Sequence, residues 1–243
     1  MNDPYLLLWL EAPLQAWGHD SKFDRRDSLD FPTRSGVFGL LCCALGKSGE
    51  QTDWLARWAE RDMVVEAFVA QDKKGQPVPR QPLLRDFHMV GAGYDLSDPW
   101  QALLEPYKSD GKRRSSAGGG ATITYRYYLQ DMAFAVALQG PIDELNELQA
   151  ALQNPVWDVY LGRKNCVPTE FIEQGVHADL EVAFAQANKL ATTEEREVKR
   201  SAIFRVLEGE RDGGEPLTIN DVPLQFGINK LYRERKVTVL KYG

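Results

Sequence analysis

Short apolar runs alternate with helical patterns along the first two thirds of the chain. The continuous apolar run Tyr5–Leu10 is typical of a buried central strand, and Met63–Ala70 and Ala133–Leu138 also predict strands. The spacing of apolar residues predicts helices over Arg34–Leu45 and Ile142–Leu152. The order is therefore β-α-β followed by β-α, the split β-α-β pattern of ferredoxin-like and RNA-recognition-like (RRM-like) folds. We predict an α+β fold of this class.

A long segment without such patterning separates the second and third strands. It is rich in proline, glycine and basic residues, and its middle contains the run Ser115–Gly120. A loop of this length inside a domain is usually either functional or disordered. We therefore predict an extended arm at about residues 75–130, inserted into a domain that spans residues 1–169.

The last third of the chain has a different pattern. Alternating segments at Arg200–Leu207, Pro216–Ile219 and Lys236–Leu240 predict strands, and Glu210–Glu215 predicts a turn. We therefore predict a small C-terminal β-rich region with its own sheet over residues 170–243.

The overall charge argues against a generally basic nucleic-acid coat. The chain has 243 residues, 43% of them hydrophobic, a formal net charge of −6 and a pI near 5.2. Any nucleic-acid site must therefore come from local clustering, which the predicted arm shows. A solvated surface is the ordinary explanation for a single charge run, so the separation of basic and acidic segments carries the argument. The clustered basic residues are Lys108, Lys112, Arg113, Arg114 and Arg126.

The cysteines and the first residues indicate a cytoplasmic protein without cofactor. Cys42, Cys43 and Cys166 form no CxxC pair, and with three scattered histidines they suggest no metal site. We expect them to be reduced and buried, as in the cytosol. The start of the chain lacks a basic signal region, and the run Tyr5–Leu10 is too short to cross a membrane.

The strongest local signal lies at the start of the first predicted helix, in the segment FPTRSGVFGLLCCALG. Thr33 or Ser35 can cap the free backbone N–H groups, and Arg34 lies beside them, where a phosphate would be favoured. The alternative is a buried helix whose Gly36 and Gly39 allow close packing on a sheet.

Two other segments accompany this helix start, PLQAWG at residues 13–18 and YLGRKNCVPT at residues 160–169. With LRDFH at residues 84–88 and YRYYL at residues 125–129, they occur in an order that resembles the CasD subunits of type I-E CRISPR surveillance complexes (Cascade). CasD subunits are a Cas5-type branch of the RAMP superfamily.

The resemblance implies a non-catalytic subunit that binds the 5′ handle of the guide RNA (crRNA) in antiviral defence. It implies a RAMP fold whose arm is a thumb, and contacts with the backbone subunit CasC and the large subunit CasA. No cofactor is implied.

RNA held as a single strand needs cations for phosphates, aromatic faces for bases and glycine turns for close approach. We therefore assign Arg34, Arg163 and Lys164 to phosphates, and Phe87 or His88 to a base or ribose. Trp17 either contacts RNA or fills the core. The predicted RNA-binding residues are Trp17, Arg34, Arg85, Phe87, His88, Lys112, Arg113, Arg114, Arg126, Arg163 and Lys164.

Other function classes fit the sequence less well. A P-loop needs four residues between its glycines, whereas six separate Gly39 from Gly46. No strand-to-helix elbow presents a serine or cysteine nucleophile. A metal-independent endoribonuclease that processes crRNA precursors stays open, with His88, Lys112 and Tyr125 or Tyr127 as acid–base groups. A purely structural subunit is the third reading, and the basic arm argues against it.

Overall fold

The computed structural model describes residues 3–19, 21, 24–90 and 122–242. The strands are β1 (Tyr5–Glu11), β2 (Leu14–Gln15), β3 (Arg25–Arg26), β4 (Met63–Ala70), β5 (Leu84–Val90), β6 (Thr122–Gln130), β7 (Ala133–Gln139), β8 (Glu173–His177), β9 (Arg200–Glu208), β10 (Glu215–Gln225) and β11 (Leu231–Lys241). The helices are α1 (Arg34–Leu45), α2 (Thr52–Trp58), α3 (Ile142–Gln153) and α4 (Leu180–Thr192). The predicted α+β class is confirmed, and the five elements predicted in the first two thirds are present within one residue at each end.

A seven-stranded antiparallel sheet forms the centre of the molecule, in the order β10-β11-β9-β4-β7-β1-β8. Helix α1 lies in the connection from β1 to β4, and α3 lies in the connection from β7 to β8. Each helix therefore joins two strands that are separated in the sheet by one antiparallel strand.

Both faces of the sheet are covered, which explains the unbroken apolar run of β1. Leu6, Leu8 and Leu10 point toward the core cluster that α1, α2 and α3 complete. Leu7 and Trp9 point to the other face, where α4 supplies its buried side chains. Successive strand residues face opposite sides, so a strand covered on both sides has no polar positions to alternate with.

The predicted separate C-terminal sheet is wrong. Strand β9 pairs with β4 along most of its length, with Val65 opposite Val206, so the last three strands extend the main sheet. Helix α4 and strand β8 were not predicted at all. The buried side of α4 consists of Ala183, Phe184, Ala187 and Ala191, which recur at helical spacing, so the sequence does carry a helical signal in this segment.

The base of the predicted arm is a β-hairpin. Strands β5 and β6 pair over seven positions, and β2 and β3 add short pairings to β6. Residues 91–121 lie outside the described part of the chain, and so do the predicted RNA-binding residues Lys112, Arg113 and Arg114. None of the helices in the described part has the length and hydropathy that a membrane crossing requires.

Candidate nucleic-acid interface

Three of the segments singled out in the sequence meet at one place. The loop after β1 packs directly on the 160–166 turn, where the N–H of Ala16 donates to the carbonyl of Leu161 at 3.1 Å. Gly162 has φ +97°, and a Cβ there would lie 1.7 Å from the carbonyl oxygen of Ala16. Only glycine permits this approach, so the glycine of the YLGRK segment fixes that turn against the loop.

These segments line a cavity of about 510 Å³ beside α1. The loop contributes Trp17 and Gly18, and the turn contributes Tyr160 and Gly162. Its volume lies within the roughly 300–1,000 Å³ of typical ligand pockets. We call it the α1 cavity.

The half-exposed face of α1 forms the floor of the α1 cavity. Ser35, Gly39 and Cys43 lie four residues apart, with Gly36 three residues before Gly39, and all four are less buried than their neighbours. Gly36 packs against the ring of Trp17, because a Cβ there would lie 2.7 Å from Cε3 of that ring. A Cβ on Gly39 would meet no atom within 4 Å, so this glycine opens the cavity.

The hairpin of β10 and β11 closes the third side with Phe226, Lys230 and Tyr232. A second compartment of about 360 Å³ adjoins the first, and both are lined by Gly18, Ser35, Lys230 and Tyr232. The second compartment adds His19, Ser21 and Asn220. None of the described residues that line either compartment is acidic, although the chain carries a net charge of −6.

Arg34 does not face this cavity, and the phosphate role expected of it needs correction. Its side chain is 2% exposed and donates to the carbonyls of Trp58, Ala59 and Arg61 at 3.1, 2.9 and 2.7 Å. It also pairs with the carboxylate of Glu208. The guanidinium is thus directed into the protein.

The start of α1 already has an anion of the protein's own. The carboxylate of Asp221 in β10 accepts from the backbone N–H of Arg34 at 2.7 Å and from the guanidinium of Arg235. Thr33 is the N-cap, and its hydroxyl oxygen accepts from the N–H of Gly36. A negative charge therefore lies at the start of α1, where the helix dipole favours one, and a carboxylate of the protein supplies it.

Trp17 fills the core, which was the second of the two roles considered for it. It is 1% exposed, and its Nε1 donates to Oε1 of Gln15 at 3.1 Å. Its ring edge supports Gly36 and forms part of the cavity wall. No face of this ring is free to stack on a base.

Arg163 and Lys164 have different positions. The guanidinium of Arg163 donates to the carbonyls of Tyr127 and Arg26 at 3.2 and 2.9 Å and lies 4.6 Å from the ring centre of Tyr128. It therefore ties the turn to the base of the hairpin. Lys164 is exposed and makes no hydrogen bond or ion pair with the described residues, so its ammonium group can reach a phosphate.

The hairpin places the remaining candidates on two faces. Arg85 and Phe87 share one face with Tyr125, whose ring centre lies 5.7 Å from that of Phe87 and 5.6 Å from the guanidinium of Arg85. His88 and Arg126 lie on the other face, because alternate strand residues point to opposite sides. Phe87 is 54% exposed and is the more accessible of the two base-contact candidates.

This register weakens the ribonuclease alternative. His88 pairs with Thr124, whereas Tyr125 and Tyr127 pair with Phe87 and Arg85 on the opposite face. The register therefore does not bring His88 and either of the two candidate tyrosines to one reacting group. Nor does any group of three His, Cys, Asp or Glu side chains in the described ranges have the arrangement of a metal site.

Comparison with known proteins identifies the family to which this chain belongs. The family model for CRISPR-associated protein (Cas_Cas5) matches residues 5–238. The chain belongs to the Cas5 family. This confirms the resemblance seen in the sequence segments.

The Cas5-family chain is 31% identical over 169 residues to the CRISPR system Cascade subunit CasD of Escherichia coli (strain K12). That alignment covers 67% of this chain and 66% of the relative, just under two thirds of its length. A chain of a CRISPR RNA-guided surveillance complex has a TM-score of 0.70 at 29% identity, covering 98% of this chain and 89% of the other. A Cas protein crystal structure has a TM-score of 0.58 at 27% identity, covering 98% and 94%.

Sequence reasoning did not single out Lys230, Tyr232 or Tyr160 of this Cas5 chain. Lys230 and Tyr232 belong to a segment with mixed charges, and nothing local distinguishes them from a solvated hairpin. Tyr160 could have been noticed, since it begins the YLGRK segment. The position of all three at one cavity is a consequence of tertiary structure.

Proposed function

We propose that this chain is a non-catalytic, CasD-like subunit of a type I-E Cascade complex that binds and caps the 5′ handle of the crRNA. The observation that carries the proposal is the α1 cavity. Three of the five segments that resemble CasD line it, and none of its described lining residues is acidic. A neutral-to-basic cavity suits the polyanionic backbone of RNA.

The sheet supports a ferredoxin-like RAMP domain. The strands β4-β7-β1-β8, with α1 and α3 as crossings, have the order and directions of the β-α-β-β-α-β pattern. The arm over about residues 75–130 then leaves this domain as an insertion between β4 and β7. In this proposal it is the thumb.

The proposed RNA path runs from the α1 cavity past Lys164 to the hairpin. Arg163 links the two, because it belongs to the cavity turn and donates to the carbonyl of Tyr127 in β6. Arg85 and Phe87 would then provide a cation and an exposed aromatic face, and Arg126 a cation on the other face. Lys112, Arg113 and Arg114 remain proposed phosphate contacts further along the arm.

The proposed protein partners are the backbone subunit CasC and the large subunit CasA, with the complex acting in the cytoplasm. The hairpin beyond Phe87 supports a partner contact, since the paired residues Met89 and Ile123 are 49% and 40% exposed. Apolar side chains grouped on a surface commonly mark such contacts.

The test is a gel assay with purified protein, labelled repeat RNA and labelled mature crRNA, with and without EDTA. We expect stable binding without cleavage, weakened by added salt. Lys164→Ala should weaken binding. Lys189→Ala is the matched control, because Lys189 is an exposed lysine on α4, which covers the opposite face of the sheet.

Cleavage at one site without metal, lost in His88→Ala, would replace the proposal with the processing enzyme. Failure of the wild-type protein to retain either RNA at low salt would also contradict it.

A further inference from the structure

Lys230 differs from every other cation on its hairpin. Arg233, Arg235, Lys236 and Lys241 each form an ion pair with a carboxylate, to Glu60, Asp221, Glu210 and Glu215 respectively. Lys230 forms no hydrogen bond or ion pair with any described residue, and it lines both cavity compartments. Its positive charge is therefore uncompensated where the two compartments meet.

The hairpin that carries Lys230 is fixed against α1. Asp221 accepts from the N–H of Arg34 at the start of the helix, at 2.7 Å. The N–H of Phe226 donates to the carbonyl of Glu50 just beyond the helix end, at 2.9 Å. The two attachments hold this wall along the whole helix, so the cavity does not depend on a free loop.

The α1 cavity also has aromatic walls. Tyr160 lies on the side of the 160–166 turn, and Tyr232 lies on the hairpin side with 37% of its surface exposed. Burial raises the pKa of Tyr232 above its ordinary value of 10, so its ring is neutral near pH 7. Neutral aromatic rings are the platforms on which bases stack in single-stranded RNA complexes.

We propose that the hairpin of β10 and β11 completes a nucleotide subsite, in which Lys230 holds an RNA phosphate and Tyr232 contacts the attached base in the α1 cavity. This rests on the proposed function and adds to it, since it assigns part of RNA binding to the C-terminal third. The two adjoining compartments suit two successive nucleosides with the phosphate between them at Lys230.

The phosphate contact of Lys230 and the base contact of Tyr232 can be tested separately. Lys230→Ala should weaken binding of a fluorescein-labelled single-stranded RNA carrying the repeat-derived 5′ segment about three- to tenfold. It should also reduce the slope of log K against log salt by about 0.7, as one lost phosphate contact does for single strands. Tyr232→Ala should weaken binding about 5- to 100-fold, and Tyr232→Phe should restore most of it.

Gly39→Leu tests whether RNA occupies the α1 cavity, because it fills the cavity without removing any side-chain contact. A side chain there enters open space, and leucine favours a helix more than glycine does, so the variant should fold. It fills the floor of the cavity and should weaken RNA binding at least about tenfold.

Cys43 is a built-in reporter of cavity occupancy. Cys42 and Cys166 are 4% and 0% exposed, whereas Cys43 is half-buried and lines the cavity. N-ethylmaleimide should therefore modify Cys43 first, as located by mass spectrometry, and saturating RNA should slow this reaction. Lys189→Ala is the control for loss of one positive charge, and we expect wild-type binding and protection.

The outcomes separate the two proposals. If the wild-type protein binds this RNA while Cys43 stays unprotected and Lys230→Ala, Tyr232→Ala and Gly39→Leu bind normally, the subsite is wrong and RNA binds elsewhere. An unchanged salt slope in Lys230→Ala would overturn the phosphate contact. If the wild-type protein does not bind the RNA at all, the proposed function itself fails.

Discussion

We expect Arg34→Ala to lower the free energy of unfolding of the protein and to remove no direct contact with RNA. The side chain is 2% exposed, and it donates to three backbone carbonyls and pairs with Glu208. Glu208 keeps Arg235 as a partner, and the carbonyl of Trp58 keeps the N–H of Arg61, but the carbonyls of Ala59 and Arg61 lose the guanidinium donor. Each buried carbonyl left without its donor costs about 1–3 kcal/mol, so the total loss is about 3–5 kcal/mol. We expect that loss in the free energy of unfolding.

Urea unfolding followed by tryptophan fluorescence measures this loss, and the melting temperature should fall by roughly 6–20 °C. Arg34→Lys should be destabilised as well, because an ammonium group cannot reach several carbonyls in different directions as the guanidinium does. Lys164→Ala is the control, since that exposed lysine has no partner among the described residues and its loss should cost less than about 0.5 kcal/mol.

RNA binding completes the test. The folded Arg34→Ala protein should bind the repeat-derived RNA with the salt dependence of the wild type. The reasoning is refuted if Arg34→Ala unfolds within about 0.5 kcal/mol of wild type and loses about 0.7 from the salt slope, because that is the result expected of a phosphate contact.

Three further predictions concern other contacts. Gly162→Ala should lower the free energy of unfolding in urea by at least about 3 kcal/mol, because its Cβ would lie 1.7 Å from the Ala16 oxygen at a φ of +97°. A loss below about 1 kcal/mol would contradict that close approach. Arg163→Ala should accelerate amide exchange of β6, because the guanidinium ties Tyr127 to the turn; unchanged exchange would exclude this role. Burial opposes ionisation of Glu11, but the hydrogen bond from Arg196 and the charge of Arg200 outweigh it and hold the pKa of the carboxyl below its ordinary 4.5. A lowered folded pKa stabilises the protein above the unfolded value, and this stabilisation is lost as the pH falls through the folded value. The advantage of wild type over Glu11→Gln in unfolding free energy should therefore be full above about pH 5.5 and shrink below about pH 4.5.

Local sequence patterns were sufficient to predict the elements whose ends and burial depend on neighbouring residues. The boundaries of α1 follow from Thr33, which caps its first turn, and from Gly46, which ends it at φ +68°. Strands β1, β4 and β7 are mostly apolar because both faces are buried, and the one charge inside β4, Glu66, is paired with Arg205. The CasD-like segments were likewise visible in order, and they gave the family.

Local patterns failed where the partner is distant in sequence. Arg34 looked like a phosphate ligand, and its actual neighbours Glu208 and Asp221 are 174 and 187 residues away. Likewise β9 looked like part of a separate sheet, because its strand pattern is the same whether it pairs with β11 alone or with β4 as well.

The sequence by itself determined helices α1 and α3, the central strands β1, β4 and β7, the family, and most of the segments that surround the candidate site. The tertiary structure alone decided which cations are available to RNA. Arg34 and Arg163 are occupied by carbonyls and a carboxylate of the protein, whereas Lys164 and Lys230 have no such partner among the described residues. A positive charge is free or neutralised according to the groups that folding brings beside it, and residue type and spacing do not specify those groups.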